Sequence, residues 1–430
     1  MIDLSLELSG IPLKNPIMAG AGPNTKNVSS SIDCMKGGFG TIVVRSLHIQ
    51  YLSQVRQPTR GFWRIYGTGK NFREDLYSFM STGAPAQRVH RKIDPGFGGA
   101  SPFPTLDQYA EELRKIVRAA KDYDCAVIAS IGWCGSNVST EEVWKAEAKA
   151  MTYAGVAGIQ LHTGPSPATE PGRFLTQDPV KHMVLPIKFT KEATHLPVFV
   201  KIPVDCCDSV HIAGIAQKAG AAGIVPVTRW LSIPIDIDRM EEPMWRGPGI
   251  GGPWSVPIMN GLIFRFRHAR QPISSIYREA STEEFADNVP ITAPIIASGG
   301  VRSGSDIIGY IAAGANAAEI CAQVLLEGPG MAKRVEHEMR SWMAAKGYSK
   351  LSDFQGILKL MEHSKAKEMI PQWQPVIDKE LCTACGACMR GCANVAISLK
   401  DHVAHVDDEY CEGCRTCYYV CPAGAVSLKP

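Results

Sequence analysis

Eight of the fourteen cysteines lie in one short stretch and repeat a single spacing. The pattern CxxCxxCxxxC occurs twice, and the second copy is followed directly by Pro422. The first copy consists of Cys382, Cys385, Cys388 and Cys392, and the second of Cys411, Cys414, Cys417 and Cys421. Thiolates repeated at such short intervals are typical of ligands to a metal centre.

Paired [4Fe–4S] clusters explain this spacing better than zinc. Three cysteines of one copy surround one face of a cubane, and the fourth reaches the neighbouring cubane. A zinc ribbon needs two CxxC pairs and has no role for the third cysteine of each copy. The pattern, which matches bacterial ferredoxins, assigns Cys382, Cys385, Cys388 and Cys421 to one cluster and Cys411, Cys414, Cys417 and Cys392 to the other. Ala393 stands where that pattern has a proline, but this position is not a ligand.

Eight short apolar runs precede the cysteines, each followed by a polar loop and a helix-like stretch. They are Pro16–Ala21, Thr41–Leu47, Ala126–Ile131, Gly158–Thr163, Pro197–Ile202, Gly223–Thr228, Pro294–Gly300 and Ala317–Gln323. Continuous apolar runs fit strands that are buried on both faces of a parallel sheet. Leu106–Lys121 and Glu141–Tyr153 have apolar residues at helical spacing. The pattern predicts an α/β fold, a (β/α)₈ TIM barrel, with an open doubly wound sheet as the alternative.

The expected domain order is a barrel over residues 1–335, a helical linker over 336–375 and a ferredoxin-like α+β domain over 376–430. Two long insertions, about Tyr51–Thr105 and Arg229–Gly261, follow the second and sixth strands. Both leave the carboxyl ends of strands, where such barrels carry their active sites. We expect them to form lids or substrate walls.

Composition excludes several classes of protein. The net charge of +3 gives no reason to expect a nucleic-acid or membrane-surface partner. The most apolar stretch, Ile307–Leu326, carries Glu319 and two glycines, which indicates a helix, a turn and a buried strand rather than a membrane span. The start MIDLSLELSG lacks the basic residues of a secretory leader. We therefore expect a cytoplasmic protein with reduced thiols.

The barrel should hold a group that exchanges both single and paired electrons, because the clusters transfer one at a time. A flavin meets that requirement. Gly299 and Gly300 follow the seventh strand, where barrels bind phosphate with backbone N–H groups, and Cys321–Gln323 would complete the phosphate site. Lys201 ends the fifth strand and would stabilise negative charge at N1/O2 of a reduced flavin. An ordinary Gly-Gly turn and a solvated lysine are the alternatives.

Several segments in order resemble one family. LSGIPLKNPIMAGAGP, VFVKI, GIVPVT, GGPWSVPIMNG and IIASGGVRSGSD, followed by the double cysteine motif, resemble the dihydropyrimidine dehydrogenase family, which is related to dihydroorotate dehydrogenase. The resemblance covers the flavin mononucleotide (FMN) domain with its fused iron–sulfur domain. It implies FMN at the carboxyl face of the barrel, bound by Ala19, Gly20, Ala21, Lys201, Thr228, Gly252, Gly299, Gly300, Ala322 and Gln323.

The chain departs from that family at its substrate-binding positions. Arg45 stands where the family has a lysine, and Thr228 where it has an asparagine. The fourth strand reads Gln160–Pro165 (QLHTGP) in place of an asparagine followed by Ser-Cys-Pro. The mobile-loop cysteine that serves as general acid should fall near Leu175 and Thr176, where no cysteine is present. The resemblance thus implies retained flavin binding with altered substrate chemistry.

Other groups must then carry the proton chemistry. His162 is the candidate acid or base, because histidine titrates near neutrality; a hydrogen bond to FMN or a loop is the alternative. Arg45, Arg173 and Arg229 are candidate clamps for an anionic substrate group, although exposed arginines are usually solvated. Cys134 is either a small buried thiol or a displaced acid. Together with Lys201, His162 and Arg45 form the predicted catalytic set.

The resulting hypothesis is an oxidoreductase acting on CH–CH groups. Electrons would pass between a partner, the two clusters and FMN to reduce or oxidise a double bond of a small cyclic or carboxylated substrate. The alternative is an electron-transfer subunit without substrate chemistry of its own. Gly247–Gly252 resembles a dinucleotide fingerprint but precedes no clear helix, so the expected electron partner is a subunit carrying FAD and NAD(P)H, or a ferredoxin. A homodimer or hetero-oligomer is expected.

Overall fold

The structure is a computed structural model in which the chain divides into two compact units, Met1–Leu358 and Lys359–Pro430. It describes residues 2–47, 63–65, 78–81, 106–132, 141–163, 180–202, 209–226, 230–231, 237–240, 249–268, 290–359 and 374–429. The predicted boundaries at residues 335 and 375 stay a prediction.

The described strands of the first unit are β1 (Leu6–Leu8), β2 (Ile11–Leu13), β3 (Ile17–Ala19), β4 (Thr41–Leu47), β5 (Trp63–Ile65), β6 (Ser78–Ser81), β7 (Ala126–Gly132), β8 (Gly158–His162), β9 (Val198–Lys201), β10 (Gly223–Val225), β11 (Trp230–Leu231), β12 (Gly249–Gly251), β13 (Ile296–Ser298) and β14 (Ala317–Ile320). Eight of them form one parallel sheet in the order β10-β9-β8-β7-β4-β3-β14-β13. A parallel bridge between Ile224 and Ile295 joins the two end strands and closes the sheet into a barrel. The TIM-barrel prediction is confirmed and the open-sheet alternative is wrong, and each of the eight apolar runs forms one barrel strand.

The helices of this unit, among the residues described, are α1 (Val28–Gly37), α2 (Leu106–Ala120), α3 (Glu141–Ala154), α4 (Leu185–Ala193), α5 (Ser209–Lys218), α6 (Ser255–His268), α7 (Gly304–Ala313), α8 (Ala322–Glu327) and α9 (Met331–Lys346). Their apolar faces pack on the outward side chains of the strands in one large core cluster. Helix α9 belongs to this core through Val335, Met339 and Met343, all buried.

A second, smaller core fills the lower barrel interior. The hairpin β1–β2 contributes Leu8, Ile11 and Leu13, which pack against inward side chains such as Phe199 of β9. Position 223 requires glycine, because a Cβ on this residue would come within 2.7 Å of the Phe199 ring. This apolar layer fixes which strand positions face inward, since side chains alternate along a strand.

The two insertions share a small sheet. Strands β5 and β6 come from the first insertion, β11 and β12 from the second, and they pair in the order β11-β12-β6-β5. β6 and β12 are antiparallel, with Met80 opposite Ile250. Helix α6 begins at Ser255, immediately after this sheet. The expectation that no helix follows Gly247–Gly252 is therefore wrong, but β12 lies in an antiparallel sheet, unlike the strand of a dinucleotide-binding βαβ unit.

The second unit is small and internally repeated. Each cysteine motif contains a short helix, α10 (Ala387–Gly391) or α11 (Thr416–Val420), that ends directly before its fourth cysteine, and a strand follows the motif. The strands form two antiparallel pairs, β15 (Gln374–Ile377) with β18 (Val426–Lys429) and β16 (Ile397–Lys400) with β17 (Val403–Val406). This is the ferredoxin-like α+β arrangement that the sequence predicts.

No helix in the part of the chain that the structure describes combines the length and the apolar character needed to cross a membrane. Within the stretch Ile307–Leu326, α7 ends at Ala313 and β14 follows, as expected from its glycines and Glu319.

Candidate functional site

A polar layer lies above the apolar interior of the barrel. Phe199 packs in the interior core, so Lys201, two positions further along β9, faces the same way. The same alternation turns Gln160 of β8 and Glu319 of β14 inward. All three side chains are buried. Since these residues lie at or near the carboxyl ends of their strands, the polar layer occupies the position of the active site in TIM barrels.

Lys201, Glu319 and Gln160 form one hydrogen-bonded group across the barrel. The Lys201 ammonium donates to Glu319 Oε2 at 2.6 Å, and Gln160 Nε2 donates to Glu319 Oε1. The Lys201 and Glu319 side chains are only 8% and 2% exposed, so water provides little solvation for either charge. A charge buried this deeply is stable only when it is paired. Gln160 Oε1 is buried without a hydrogen-bond partner among the described residues.

Arg45 contributes a second cation to this end of the barrel. It lies where the β4–β7 register shifts, between Val44 and Leu47, and Tyr109 donates a hydrogen bond to its carbonyl oxygen at 3.1 Å. Burial lowers the pKa of Arg45 to about 10, because the charged guanidinium loses hydration. Its Nη1 atom is buried and has no partner within the described part of the chain. A buried donor of this kind is ready to bind an anionic or carbonyl oxygen.

Cys321 lies close to all three charges. Burial raises the pKa of its thiol to about 11, while Lys201 and Arg45 act to lower it and Glu319 acts to raise it. These opposing effects show that Arg45, Lys201 and Glu319 share one electrostatic neighbourhood. The Cys321 Sγ donates to Asn24 Oδ1 at 3.2 Å, which holds the start of α8 against the loop after β3.

Two glycines after β13 form a tight loop against the start of α6. Gly299 and Gly300 have φ of +100° and +72°, a region that favours glycine. A Cβ on Gly300 would lie 2.7 Å from Ser255 Oγ and 2.9 Å from the carbonyl oxygen of Gly252, so a side chain is excluded there. Tyr310 donates to the Gly299 carbonyl oxygen at 2.6 Å and anchors the loop. The loop thus meets a helix N-terminus, which favours bound phosphate.

The remaining predicted flavin residues that are described lie beside this loop. β3 pairs with β14 through Ala19 and Ile320, and Gly20 N donates to the Ile320 carbonyl oxygen at 2.9 Å. β14 pairs in turn with β13, with Glu319 opposite Ser298. The structure therefore brings together Ala19, Gly20, Ala21, Gly252, Gly299, Gly300, Ala322 and Gln323 at the carboxyl ends of three neighbouring strands.

His162 lies at the last position of β8, beside Lys201 in the β8–β9 register. It is half-buried, and because it lies two positions after Gln160 its side chain is on the same face of β8. Thr163 follows it and donates through Oγ1 to the Lys201 carbonyl oxygen at 2.9 Å, which fixes the end of the strand. Thr228, Arg173, Arg229, Cys134 and the segment around Leu175 and Thr176 lie outside the described residues.

In the second unit, four cysteines border one cavity. Cys382, Cys385 and Cys388 of the first motif line it together with Cys421 of the second. Cys388 lies close enough to Cys382 and Cys421 for their charges to raise its pKa, although burial is the larger cause. No three His, Cys, Asp or Glu side chains in the described ranges converge as ligands of a single metal ion. Four thiols around a cavity instead fit the corners of a larger cluster.

The two motifs exchange hydrogen bonds in a two-fold pattern. Asp378 N, before the first motif, donates to the Ala425 carbonyl oxygen, after the second; Asp407 N donates to the Ala396 carbonyl oxygen in the same way. Cys392 Sγ and Cys421 Sγ accept from Ala396 N and Ala425 N at 3.2 and 3.3 Å. This exchange brings the fourth cysteine of each motif to the other half of the unit.

Hydrogen bonds lower the pKa of the two exposed cysteines of the motifs, Cys385 and Cys414. The backbone N–H of Ala387 lowers the pKa of Cys385, and the Thr416 hydroxyl lowers the pKa of Cys414, 3.4 Å away. Both effects favour the thiolate, which is the form that binds iron.

Comparison with known proteins supports both the flavin-binding barrel and the iron–sulfur domain. The dihydroorotate dehydrogenase family model matches residues 279–343, and a 4Fe-4S dicluster domain model matches residues 374–425. The barrel is dihydroorotate dehydrogenase-like, with a fused 4Fe-4S dicluster domain. Dihydroorotate dehydrogenase A (fumarate) of Limosilactobacillus reuteri is 24% identical over 81% of this chain and 96% of its own.

Two further relatives extend the likeness. Dihydroorotate dehydrogenase B (NAD(+)), catalytic subunit, of Methanocaldococcus jannaschii is 26% identical over 79% of this chain and 93% of its own. Dihydropyrimidine dehydrogenase (NADP(+)), chloroplastic, of Arabidopsis thaliana is 21% identical over 82% of this chain and 76% of its own. The chain is thus a flavin and 4Fe-4S oxidoreductase that is similar to dihydroorotate and dihydropyrimidine dehydrogenases, with FMN and 4Fe-4S clusters as cofactors.

The residues present fit these groups. The Gly299–Gly300 loop offers a phosphate cradle, and Lys201 offers a cation at the barrel mouth. Arg45 Nη1 and Gln160 Oε1, which lack partners within the described ranges, offer a donor and an acceptor to a bound polar molecule. Sequence reasoning assigned no role to Glu319 and treated Gln160 only as part of an altered strand. The sequence signal that could have found the Lys201–Glu319 pair is a single acidic residue in the apolar run AAEIC and a single basic residue in the apolar run VFVKI.

Proposed function

We propose that this dihydroorotate dehydrogenase-like protein reduces a carbon–carbon double bond next to a carbonyl in a small cyclic or carboxylated molecule. The observation that carries the proposal is a pair of cations at the barrel mouth, the buried Lys201 and the half-buried Arg45, in a chain that also holds a dicluster domain. FMN supplies the hydride chemistry when bound.

Individual residues have distinct roles in this proposal. Lys201 stabilises negative charge on the flavin, as a fixed cation in a site of low dielectric. Arg45 binds a carbonyl or carboxylate oxygen of the substrate through Nη1, which has no partner among the residues that the structure describes. His162 gives a proton to the substrate carbon, because its ring lies at the end of β8 beside Lys201. Backbone groups bind the flavin, and they belong to Ala19–Ala21, Gly252, Gly299, Gly300, Ala322 and Gln323. Thr228 is assigned to the same flavin site only because of the family resemblance.

The clusters supply the electrons. Cys382, Cys385, Cys388 and Cys421 hold one cluster and Cys411, Cys414, Cys417 and Cys392 the other, an assignment supported by the cavity that the first four border. The partner is a subunit carrying FAD and NAD(P)H, or a ferredoxin. Support comes from relatives named as the catalytic subunit of an NAD(+) enzyme. Reduced cluster thiols favour a cytoplasmic location, in a homodimer or hetero-oligomer.

Anaerobic assays with an artificial donor test this function. The purified protein, with its FMN and iron contents measured, is mixed with reduced methyl viologen and then with uracil, thymine or orotate. We expect viologen oxidation that depends on one of these compounds and is lost in Lys201→Gln. A protein without bound FMN would overturn the proposal. A loaded protein that passes electrons from viologen to cytochrome c, but to none of the compounds, would favour the electron-transfer alternative.

A further inference from the structure

The carboxylate of Glu319 is tied to the barrel by both of its oxygens. Oε2 accepts from the Lys201 ammonium at 2.6 Å, and Oε1 accepts from Gln160. Accepting hydrogen bonds at both oxygens, one of them from an ammonium, is the pattern that suits an ionised carboxylate. The site therefore contains a fixed negative charge directly beside its lysine.

The surrounding chain leaves Glu319 little freedom. The side chain is 2% exposed, and a Cβ on Gly20 would lie 3.3 Å from both its Cβ and its Oε2. Glycine at position 20 therefore provides the space that the carboxylate occupies. The hydrogen bond from Gly20 N to the Ile320 carbonyl oxygen holds the end of β3 against β14, next to this carboxylate.

A carboxylate here opposes what the lysine does. A lone ammonium would favour the extra negative charge of a reduced flavin and so raise its reduction potential. A carboxylate 2.6 Å from that ammonium cancels much of its field, and the effect is large because buried charges interact more strongly than solvated ones. Arg45, the neutral Cys321 thiol and His162, which lies beside Lys201 in the β8–β9 register, are further titratable groups near this region in the described part of the chain.

We propose that Glu319 is a positioning residue that sets the reduction potential of the flavin. It holds the Lys201 ammonium in place and offsets its charge, which keeps the flavin potential low enough to exchange electrons with 4Fe-4S clusters. The proposal rests on FMN binding but not on any particular substrate, so it can fail or hold independently of the double-bond reduction.

Redox titration of the holoprotein tests it. Wild type, Glu319→Gln and Lys201→Gln are titrated anaerobically, and the flavin absorbance is followed against dye potential. In Glu319→Gln we expect at least a tenfold higher ratio of reduced to oxidised flavin at a given potential, about 30 mV for a two-electron couple. Lys201→Gln should shift the ratio in the opposite direction.

Two further variants separate charge from structure. The double variant Lys201→Gln/Glu319→Gln removes both charges and should titrate closer to wild type than either single variant. Glu192→Gln, which removes the acid of an exposed Lys145–Glu192 pair, is the matched control and should leave the titration unchanged.

Two experimental outcomes would contradict the proposed role of Glu319. An unchanged or more negative flavin potential in Glu319→Gln would overturn the proposal. Loss of FMN from both the single and the double variant would also overturn it, because Glu319 would then build the site rather than set its potential.

Discussion

Lys201 and Glu319 are buried in a place where neither charge would be stable alone. Removing one partner of such a pair leaves an uncompensated charge and typically costs about 3–5 kcal/mol. Gln160 adds a hydrogen bond to the second carboxylate oxygen, so the acid is satisfied on both sides. The polar layer thus combines rigidity with charge, and two of its buried atoms, Arg45 Nη1 and Gln160 Oε1, have no hydrogen-bond partner among the described residues.

At the residue scale, His162 is tested by substitution. His162→Gln keeps a polar side chain at the end of β8 but cannot transfer a proton near neutral pH. We expect kcat for the substrate found in the viologen assay to fall by about 10²–10⁴-fold, with little change in KM. The pH–rate profile should also lose the limb that histidine contributes. His195→Gln, on an exposed loop, is the control. Unchanged turnover would show that His162 is not the acid.

At the element scale, α3 carries an acid on its buried face. Glu147 is 2% exposed, and burial raises its pKa well above the usual range of a carboxyl group. Tyr109 of α2 is close enough for the charge of Glu147 to raise its own pKa. A carboxyl group with a raised pKa in the folded state holds a proton that the unfolded state has released.

Stability should therefore fall as pH rises above about 4.3, the value for an unfolded glutamate, because the unfolded state ionises first. Glu147→Gln removes this loss and should stabilise the barrel at pH 8 by on the order of 1–3 kcal/mol, with little effect at pH 5. Thermal unfolding at the two pH values measures the difference. Glu141→Gln, on the exposed start of the same helix, should change little at either pH. Equal effects of Glu147→Gln at both pH values would contradict the linkage.

The turns that follow the two cysteine motifs differ in backbone strain, which gives a second test at the scale of the structural element. Val395, 81% exposed, has a φ of +55°, while Gly424 at the equivalent turn has +64°. A β-branched residue is strained in this conformation, at a cost of about 1–3 kcal/mol.

Val395→Gly should relieve that strain and slow the loss of iron on heating, measured by bleaching of the cluster absorbance. Val395→Ala should recover only part of the effect, because alanine retains a Cβ. Faster bleaching in Val395→Gly than in wild type would count against strain at this turn.

At the scale of the whole molecule, the cysteine variants test how the two motifs share their clusters. Cys421→Ser and Cys385→Ser should remove the same cluster and give the same EPR spectrum on reduction. Cys392→Ser and Cys414→Ser should match each other and show the other spectrum, with iron content reduced in all four. The reason is the two-fold exchange, which brings each fourth cysteine to the other half of the unit. If Cys421→Ser instead resembled Cys414→Ser, each motif would hold its own cluster.

Much of the molecule could be predicted from its sequence. All eight apolar runs became barrel strands, because a strand buried on both faces needs an apolar run wherever it lies. The cysteine spacing identified the dicluster domain, since ligand spacing is a local property. The helix after Gly252 was missed because prolines surround its start: Pro253 lies in the turn before Ser255, and Pro257 lies in the first turn of the helix, where proline is tolerated.

Only the tertiary structure decided what the polar residues do. The chain separates Lys201 from Glu319 by more than a hundred residues, and no local pattern says that two inward-facing strand positions will meet. Closure of the barrel brings β9 and β14 to opposite sides of one narrow interior, where a lysine and an acid must pair because both side chains are almost completely shielded from solvent. The sequence by itself determined the fold and the cofactors through local patterns, whereas the charge balance of the site depends on contacts that exist only once the barrel closes.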